Sequence, residues 1–333
     1  MAIPQVNLIF KAITMYTKQK RLQRVHELIK DPILGAKTQN DLKWIQKNNE
    51  IMLRMNKFAI YGVCATFFLW LLSFILTRLE DHENAVIPSY VPFDTKSTMG
   101  YSIGVFCEVS PTLWIGFAHL GWDCIVATYY SQGTTQLKII KQNIEHIFDN
   151  DGINEDNFSI DQNSSMERFQ YIDEMDGNIR VQFIYIVERY RKVAWYINEI
   201  SAIFDKSMSI QFFSTSVTSC LVVYRMSSMS LVSVMFLYMA IILVLFQMQS
   251  FLYCFFGHLV EHESLSISDA VYFSDWVSVS PRFRREVLIA MTRWGQPLTP
   301  RVSSIVPVTL TTFVSIVNLS YRLYAVMKST QMT

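Results

Sequence analysis

The closing stretch of this chain, Val302–Tyr321, runs for twenty residues without a charged side chain. About twenty apolar residues, wound as a helix, cross the roughly 30 Å hydrocarbon layer of a bilayer. Serine and threonine side chains are scattered along the stretch, so we expect it to face other protein or water as well as lipid. Four more apolar stretches are long enough to cross, and the predicted spans are 58–78, 99–131, 207–226, 230–256 and 302–327.

A chain with several such spans is predicted to be all-α, a polytopic membrane helix bundle. Hydrophobic residues make up 51% of the 333 residues and charged residues 17%, against about 25% charged residues in soluble domains. We therefore expect a single transmembrane domain over residues 1–333, surrounded by the lipid bilayer. The formal net charge of +1 gives no reason to expect a nucleic-acid partner.

The charges of the loops predict how the bundle is oriented. Segment 18–57 contains ten lysine and arginine residues, and segment 280–301 contains five arginines. Segment 79–98, by contrast, contains four acidic residues and one lysine. Basic loops stay on the cytoplasmic side of a membrane. The first span therefore runs from inside to outside, and the C-terminus is predicted to be extracellular.

Helical periodicity outside the spans predicts cytoplasmic helices that extend the membrane helices into a second layer. These cytoplasmic helices are predicted at 134–148, 166–200 and 284–294. The polar segment 150–165 predicts a mobile connection between the first two. It holds two N-x-S sequons, at Asn157 and Asn163, which a cytosolic loop leaves unglycosylated.

Three ionisable residues, Glu108, His119 and Asp123, lie inside the second predicted span. Ionisable groups are costly within a membrane and often functional. Two roles stay open for them. They could handle ions, or they could hold helix ends together through polar contacts.

Aromatic and hydroxyl side chains recur in the predicted spans. In the first span Phe67, Trp70 and Phe74 follow one another at i, i+3 and i+7, so they share one face of the helix. Such a stripe is most often core packing, yet a pocket for a small apolar molecule also needs aromatic side chains and a few polar groups. The candidate ligand-binding residues are Phe67, Trp70, Phe74, Tyr101, Val105, Phe106, Gln211 and Thr215.

A series of spaced residues runs through the last eighty or so positions. Within Phe251–Trp276 a Cys and a Gly precede S-x-x-I-x-x-A-x-Y-x-x-x-W, represented here by Cys254, Gly257, Ser264, Ile267, Ala270, Tyr272 and Trp276. Further matching elements are Met291, Arg293, Pro297 and the pair Ser320-Tyr321, and upstream Val91–Asp94, Asp123 and Gln136–Ile140. In order and spacing, the chain resembles the insect odorant receptor family over nearly its whole length.

The resemblance implies a seven-helix receptor subunit with its N-terminus inside and its C-terminus outside, in agreement with the loop charges. That family forms tetrameric cation channels that odorants gate, together with an obligatory co-receptor. The implied partners are thus a small volatile odorant and the co-receptor in a heterotetramer. The implied location is the plasma membrane of the olfactory sensory neuron dendrite, and the implied pocket lies in the outer part of the bundle.

The resemblance also implies that the last helix lines the pore. The positions expected to face it are Val317, Tyr321, Tyr324 and Lys328, with the family's hydrophobic gate aligned to the last two. Lys328 departs from the apolar pattern of that gate. Residues 1–17 align with the inner end of the family's second helix, so we expect the first helix and the outer part of the second to be missing.

Three alternatives remain at this point. A G-protein-coupled receptor would have the opposite orientation, and the chain lacks D-R-Y and N-P-x-x-Y motifs in the expected places. A gustatory receptor would end in T-Y-x-x-x-x-x-Q, where this chain has Ser320 and Met327. A membrane metalloprotease could use His258, Glu261 and His262, an H-x-x-E-H pattern, although interfacial polar residues are the favoured interpretation. We expect no enzyme, catalytic residue, metal or cofactor.

Overall fold

The computed structural model describes residues 2–80, 97–148, 165–227, 229, 234–303 and 305–331. Over these ranges the chain forms α1 (Ala2–Ile29), α2 (Gln39–Glu80), α3 (Thr98–Phe148), α4 (Ser165–Met226), α5 (Val234–Phe273), α6 (Pro281–Trp294) and α7 (Leu310–Gln331). A hairpin of two-residue strands, β1 (Arg301–Val302) and β2 (Val306–Pro307), precedes α7. The predicted all-α fold class is confirmed.

Three helices in the described part of the chain are long and apolar enough to cross a membrane. They are Gln39–Leu72 within α2, Met99–Phe148 within α3 and Met235–Phe273 within α5. These segments overlap the predicted spans 58–78, 99–131 and 230–256. The predicted spans 207–226 and 302–327 fall in α4 and α7, and they stay predictions.

The last helix begins later than the sequence predicted. The predicted span starts at residue 302, but the strands of the hairpin occupy residues 301–302 and 306–307, and α7 starts at Leu310. Ser303 has a positive φ of 53°, a turn conformation, and Pro307 has no backbone N–H for a helix. The remaining 22 residues of α7 extend over about 33 Å, which is still the thickness of the hydrocarbon layer.

The predicted cytoplasmic helices 134–148 and 166–200 are continuous with the membrane segments, as parts of α3 and α4. The third, 284–294, corresponds to α6, which Pro281 begins and whose N-terminus the hydroxyl of Ser280 caps. Nearly all of segment 150–165, with its two sequons, lies outside the described residues. So does Val91–Asp94, one of the elements of the family resemblance.

The large apolar core lies in the half of the bundle predicted to be cytoplasmic. On α3, Leu137, Ile140 and Ile144 are fully buried. They follow one another at the helical spacing that the sequence predicted. On α4 the ring of Phe183 packs edge-on against Phe283 and Trp294 of α6, with ring centroids 5.4 and 5.8 Å away. Edge-to-face aromatic contacts of this kind add about 0.5–1.5 kcal/mol to the burial itself. They fix α6 against α4.

Arg189 of α4 is fully buried where α3 and the α1–α2 connection meet. Its Nη2 donates to Gln136 Oε1 at 2.8 Å and approaches the carbonyl oxygens of Leu34 and Gly35 at 3.4 Å. The carboxylate of Asp41 lies 3.6 Å from Nη1 and is also buried. One guanidinium group therefore holds the start of α2 and the preceding loop against α4.

We expect Arg189→Met to lower the apparent melting temperature of the purified protein in detergent. Removing one partner of a buried ion pair costs about 3–5 kcal/mol, because Asp41 would keep its charge without its cation. The matched control is Arg54→Met: Arg54 and its partner Glu50 are 81% and 66% exposed, and such surface pairs contribute about 0–1 kcal/mol. Size-exclusion chromatography after heating measures both, and equal melting temperatures would contradict this role of Arg189.

A second set of charges joins α1 to α4. Arg21 donates to Glu199 through Nε and Nη2, at 2.6 and 2.8 Å. The hydrogen bonds from Arg21 lower the pKa of the Glu199 carboxyl, and they outweigh the opposing effect of burial. At the end of α1, the bond from Lys192 likewise lowers the pKa of Asp31, at 2.5 Å. Both carboxyl groups are thus more acidic in the folded protein than in the unfolded chain.

Acid should therefore weaken this contact. A carboxyl group whose pKa folding lowers stabilises the protein above its unfolded pKa, and the contribution disappears as the pH falls through the folded pKa. We expect the melting temperature to fall as the pH drops below about 4.5, and to fall less steeply in Glu199→Gln, which cannot take up the proton. Asp269→Asn, at an exposed position of α5, should keep the wild-type slope. Parallel curves for Glu199→Gln and wild type would contradict the assignment.

Candidate functional site

An aromatic cluster lies at the end of the bundle predicted to be extracellular. Trp70 and Phe74 of α2 are buried there, and Phe67 packs beside them. The indole of Trp70 is stacked on the ring of Tyr238 of α5, with centroids 6.1 Å apart and planes 2° from parallel. We call Phe67, Trp70, Phe74, Val105 and Tyr238 the outer aromatic cluster. It joins three helices through apolar side chains, as a pocket for a small apolar ligand requires.

Only one face of helix α3 contributes to this cluster. Val105 packs against it, and the hydroxyl of Tyr101 donates to the backbone carbonyl of Phe74 at 3.1 Å. Phe106, the third candidate on α3, is 70% exposed. One residue along a helix turns the side chain by about 100°, so Val105 and Phe106 cannot face the same cluster. The structure therefore brings Tyr101 and Val105 to the site and leaves Phe106 outside it.

Gln211 and Thr215, the candidates on α4, belong to a different cluster deeper in the bundle. The amide nitrogen of Gln211 donates to Thr215 at 3.2 Å and to Gln249 of α5 at 2.9 Å. The hydroxyl of Ser250 donates to Thr215 at 3.1 Å, and Asn7 of α1 donates to Gln211. Eleven residues of α5 separate Tyr238 from Gln249, a rise of about 16 Å. Gln211 and Thr215 therefore do not join the outer aromatic cluster.

Sequence reasoning missed the contribution of α5 to the outer aromatic cluster. Tyr238 is buried there, with Met239 and Ile242 packed against it. Helix α5 is apolar around most of its circumference, so no amphipathic pattern marks which face points inward. The one available signal was a phenol hydroxyl group within an otherwise apolar helical turn.

A buried ion cluster forms deeper still, between α1, α3 and α5. The ammonium group of Lys11 lies 2.8 Å from Asp123 Oδ1 and 3.2 Å from His119 Nδ1. The hydroxyl of Tyr253 also donates to Asp123. Of the three ionisable residues singled out in the second span, His119 and Asp123 meet in this cluster. Glu108, which is partly buried, lies nearer the outer end of α3.

The proposed pore residues share one face of α7. They follow one another at intervals of four, three and four residues, and Val317, Tyr321 and Lys328 are exposed while Tyr324 is partly buried. A neighbouring face of α7, with Ile316 and Ser320, is buried against the bundle. The face that carries the four candidates is largely left uncovered by the described part of the chain.

Helix α7 meets α5 through a close backbone contact. A side-chain carbon added at Gly257 of α5 would lie 2.2 Å from the carbonyl oxygen of Val308, just before α7. Nearby, Phe251 of α5 packs edge-on against Phe313 of α7, with centroids 5.4 Å apart. Glycine at position 257 thus allows the connection into α7 to lie directly on α5.

A cavity of about 290 Å³ opens between α4, the hairpin and α7. Its lining is largely apolar with several hydroxyl groups, and it includes Ser209, Phe212, Ser303, Ser315, Ile316 and Leu319. This cavity borders the inner half of α7. It is therefore distinct from the outer aromatic cluster.

Comparison with known proteins identifies the kind of protein. A family model described as 7tm Odorant receptor matches residues 1–321, which is nearly the whole chain. The chain belongs to the 7tm odorant receptor family. It is accordingly a multi-pass membrane protein of a family of receptors, not of enzymes, and the family resemblance seen in the sequence is confirmed.

Two insect odorant receptors illustrate the similarity. Odorant receptor 10 of Aedes albopictus is 24% identical over 156 residues, 45% of this chain and 40% of that receptor. Odorant receptor 67c of Drosophila melanogaster is 23% identical over 154 residues, 45% of this chain and 37% of that receptor. The chain thus spans about two-fifths of the length of these curated relatives.

The fold is that of a solved insect receptor. The olfactory receptor OR5 of Machilis hrabei, in complex with eugenol, superposes with a TM-score of 0.73 over 98% of this chain and 80% of that receptor, at 15% identity. Its structure without eugenol gives a TM-score of 0.72 at 16% identity. At this level of identity the likeness shows a shared fold.

Membership of the odorant receptor family decides against the metalloprotease interpretation of the H-x-x-E-H pattern. His258 Nδ1 lies 3.8 Å from Glu261, whereas His262 lies 4.0 Å from Glu263 instead. Within the ranges that the structure describes, no group of three His, Cys, Asp or Glu side chains could hold a metal ion. The polar side chains of this turn of α5 instead make surface contacts, such as the bond from Thr299 to Glu261 at 3.2 Å.

The contact at Gly257 generates a prediction. We expect Gly257→Ala to lower the melting temperature of the purified receptor, since overpacking of a tight contact costs about 1–3 kcal/mol. Gly62→Ala in α2 is the matched control, because no atom lies within 4 Å of the added methyl group. Alanine is favoured over glycine inside a helix by about 1 kcal/mol, so this variant should be as stable as wild type or more so. Equal stability of the two variants would show that α5 and the start of α7 are not in close contact.

Proposed function

We propose that this chain is an odorant-binding subunit whose ligand site is the outer aromatic cluster. The observation that carries the proposal is the meeting of Trp70 and Tyr238 in a chain of the odorant receptor family. Their stacked rings close the space between α2 and α5. A volatile apolar ligand that entered here would separate the two rings and replace their contact with its own.

The chemistry of the cluster favours small, mainly apolar ligands with at most one or two polar atoms. The rings of Phe67, Trp70 and Phe74 offer apolar and edge contacts, while the phenol of Tyr238 offers one group able to donate or accept a hydrogen bond. A ligand changes a conformational equilibrium only through different affinities for the two states. Separation of the stacked rings would provide such a difference.

The response that we propose is the opening of a cation channel. The uncovered face of α7, with Val317, Tyr321, Tyr324 and Lys328, would line a pore shared with other subunits. The partner would be the odorant co-receptor, in a heterotetramer in the plasma membrane of the olfactory sensory neuron dendrite. The loop charges support the orientation this needs, with the ligand site and the C-terminus facing outward. Lys328 would place a positive charge near one end of this pore.

Co-expression with the co-receptor tests the proposal. Currents would be recorded from cells expressing both chains while a panel of small apolar volatiles, eugenol among them, is applied. For any odorant that evokes a current, we expect Trp70→Ala to raise the half-maximal concentration about tenfold, equivalent to ~1.4 kcal/mol of binding free energy.

Phe106→Ala is the matched control, because it removes an aromatic ring at a similar depth that faces away from the cluster. It should leave the half-maximal concentration close to the wild-type value. Silence of the wild-type pair across the panel, at normal surface expression, would count against the proposed function. A larger effect of Phe106→Ala than of Trp70→Ala would instead move the ligand site elsewhere.

A further inference from the structure

The buried ion cluster of Lys11, His119, Asp123 and Tyr253 lies inside the helix bundle, about 22 Å along α5 from Tyr238 of the outer aromatic cluster. The side chains of Lys11 and Asp123 are 1% and 3% exposed, and their charged atoms lie 2.8 Å apart. Ionisable groups within membrane segments are costly and rarely without a role. The cluster therefore needs an explanation beyond packing.

The four groups complement one another chemically. An ammonium group only donates hydrogen bonds, so Nδ1 of His119, 3.2 Å from Lys11 Nζ, acts as the acceptor. The carboxylate of Asp123 accepts from both Lys11 and Tyr253. Loss of either charge would leave the other buried without a counter-ion, and the helices would have to move to hydrate it.

Tyr253 belongs to α5, and this helix also contacts the proposed ligand site and the proposed pore helix. Helix α5 carries Tyr238, which stacks on Trp70 fifteen residues before Tyr253. Two residues before Tyr253, the ring of Phe251 packs edge-on against Phe313 of α7, with ring centroids 5.4 Å apart. One continuous helix thus contacts the proposed ligand site, the buried ion cluster and the proposed pore helix.

We propose that Lys11 and Asp123 are positioning residues that hold α5 through Tyr253, so that a displacement at Tyr238 is transmitted to α7. The transmission to α7 rests on the proposed function, whereas the positioning of α5 does not. The N-terminal helix α1 thereby has a defined task, which is to supply the cation that fixes α3 and α5 to each other.

Cross-linking between α5 and α7 measures the position of α5 without any odorant. The full chain would carry Phe251→Cys on α5 and Phe313→Cys on α7, with the five native cysteines replaced by alanine, and the rate of disulfide formation under mild oxidation would be followed. We expect Lys11→Met to slow this reaction several-fold, because an unpaired Asp123 loosens the contact to Tyr253. The double variant Lys11→Met with Asp123→Asn, which removes both charges but keeps a side-chain oxygen that can accept from Tyr253, should recover much of the rate.

Tyr253→Phe provides a milder variant that keeps the ion pair and the buried ring, in case Lys11→Met fails to fold. It should also slow the cross-link, because it removes the hydrogen bond to Asp123 alone. Lys20→Met and Asp269→Asn, at exposed positions of α1 and α5, are the matched controls and should react at the wild-type rate. An unchanged rate in Tyr253→Phe, or a double variant that reacts no faster than Lys11→Met, would overturn the positioning role.

Odorant-evoked currents then separate the two proposals. If the wild type responds, Lys11→Met and Tyr253→Phe should raise the half-maximal odorant concentration in proportion to their effect on the cross-link. A changed cross-link with an unchanged odorant response would overturn the transmission through α5. If no odorant of the panel evokes a current in the wild type, the proposed function fails, while the cross-linking rates still decide whether Lys11 and Asp123 position α5.

Discussion

The pairing of buried charges across helices is the constraint on which this bundle depends. Lys11 with Asp123 joins α1 to α3, and Arg189 with Asp41 joins α4 to the start of α2. Either charge of a pair would be costly to bury alone in a low-dielectric interior. For Lys11 and Asp123, at the predicted membrane level, helices in lipid gain little from apolar contacts with one another, so polar contacts and close packing specify how such helices meet. The two pairs thus fix the arrangement that the apolar side chains alone leave open.

Helix α5 is the element that the other features share. It provides Tyr238 to the outer aromatic cluster, Tyr253 to the buried ion cluster and Gly257 to the contact with the start of α7. A helix transmits displacement well because its backbone hydrogen bonds keep it stiff along its length. The proposed ligand site and the proposed pore face therefore need no direct contact.

Much of the architecture could be predicted from the sequence. Apolar runs predicted the helices α2, α3 and α5, and the spacing of Leu137, Ile140 and Ile144 predicted the buried face of the α3 extension. The late start of α7 could not be predicted from hydropathy, because residues 302–307 are as uncharged as the first turns of the helix that follows. The position of Phe106 outside the outer aromatic cluster could not be predicted, because neighbouring residues look equivalent in sequence although they point in different directions on a helix.

The sequence by itself determined the fold class and the family, since both depend on local composition and on residues at fixed spacing. Tertiary structure alone decided which residues meet. Tyr238 joined Trp70, and Gln211 and Thr215 joined a separate polar cluster, because these contacts depend on the rotation of α4 and α5 about their axes. In the sequence, Lys11 is only a charged residue within a largely apolar stretch, residues 3–17. Its partner Asp123 lies more than a hundred residues away, and only the packing of α1 against α3 brings the two charges together.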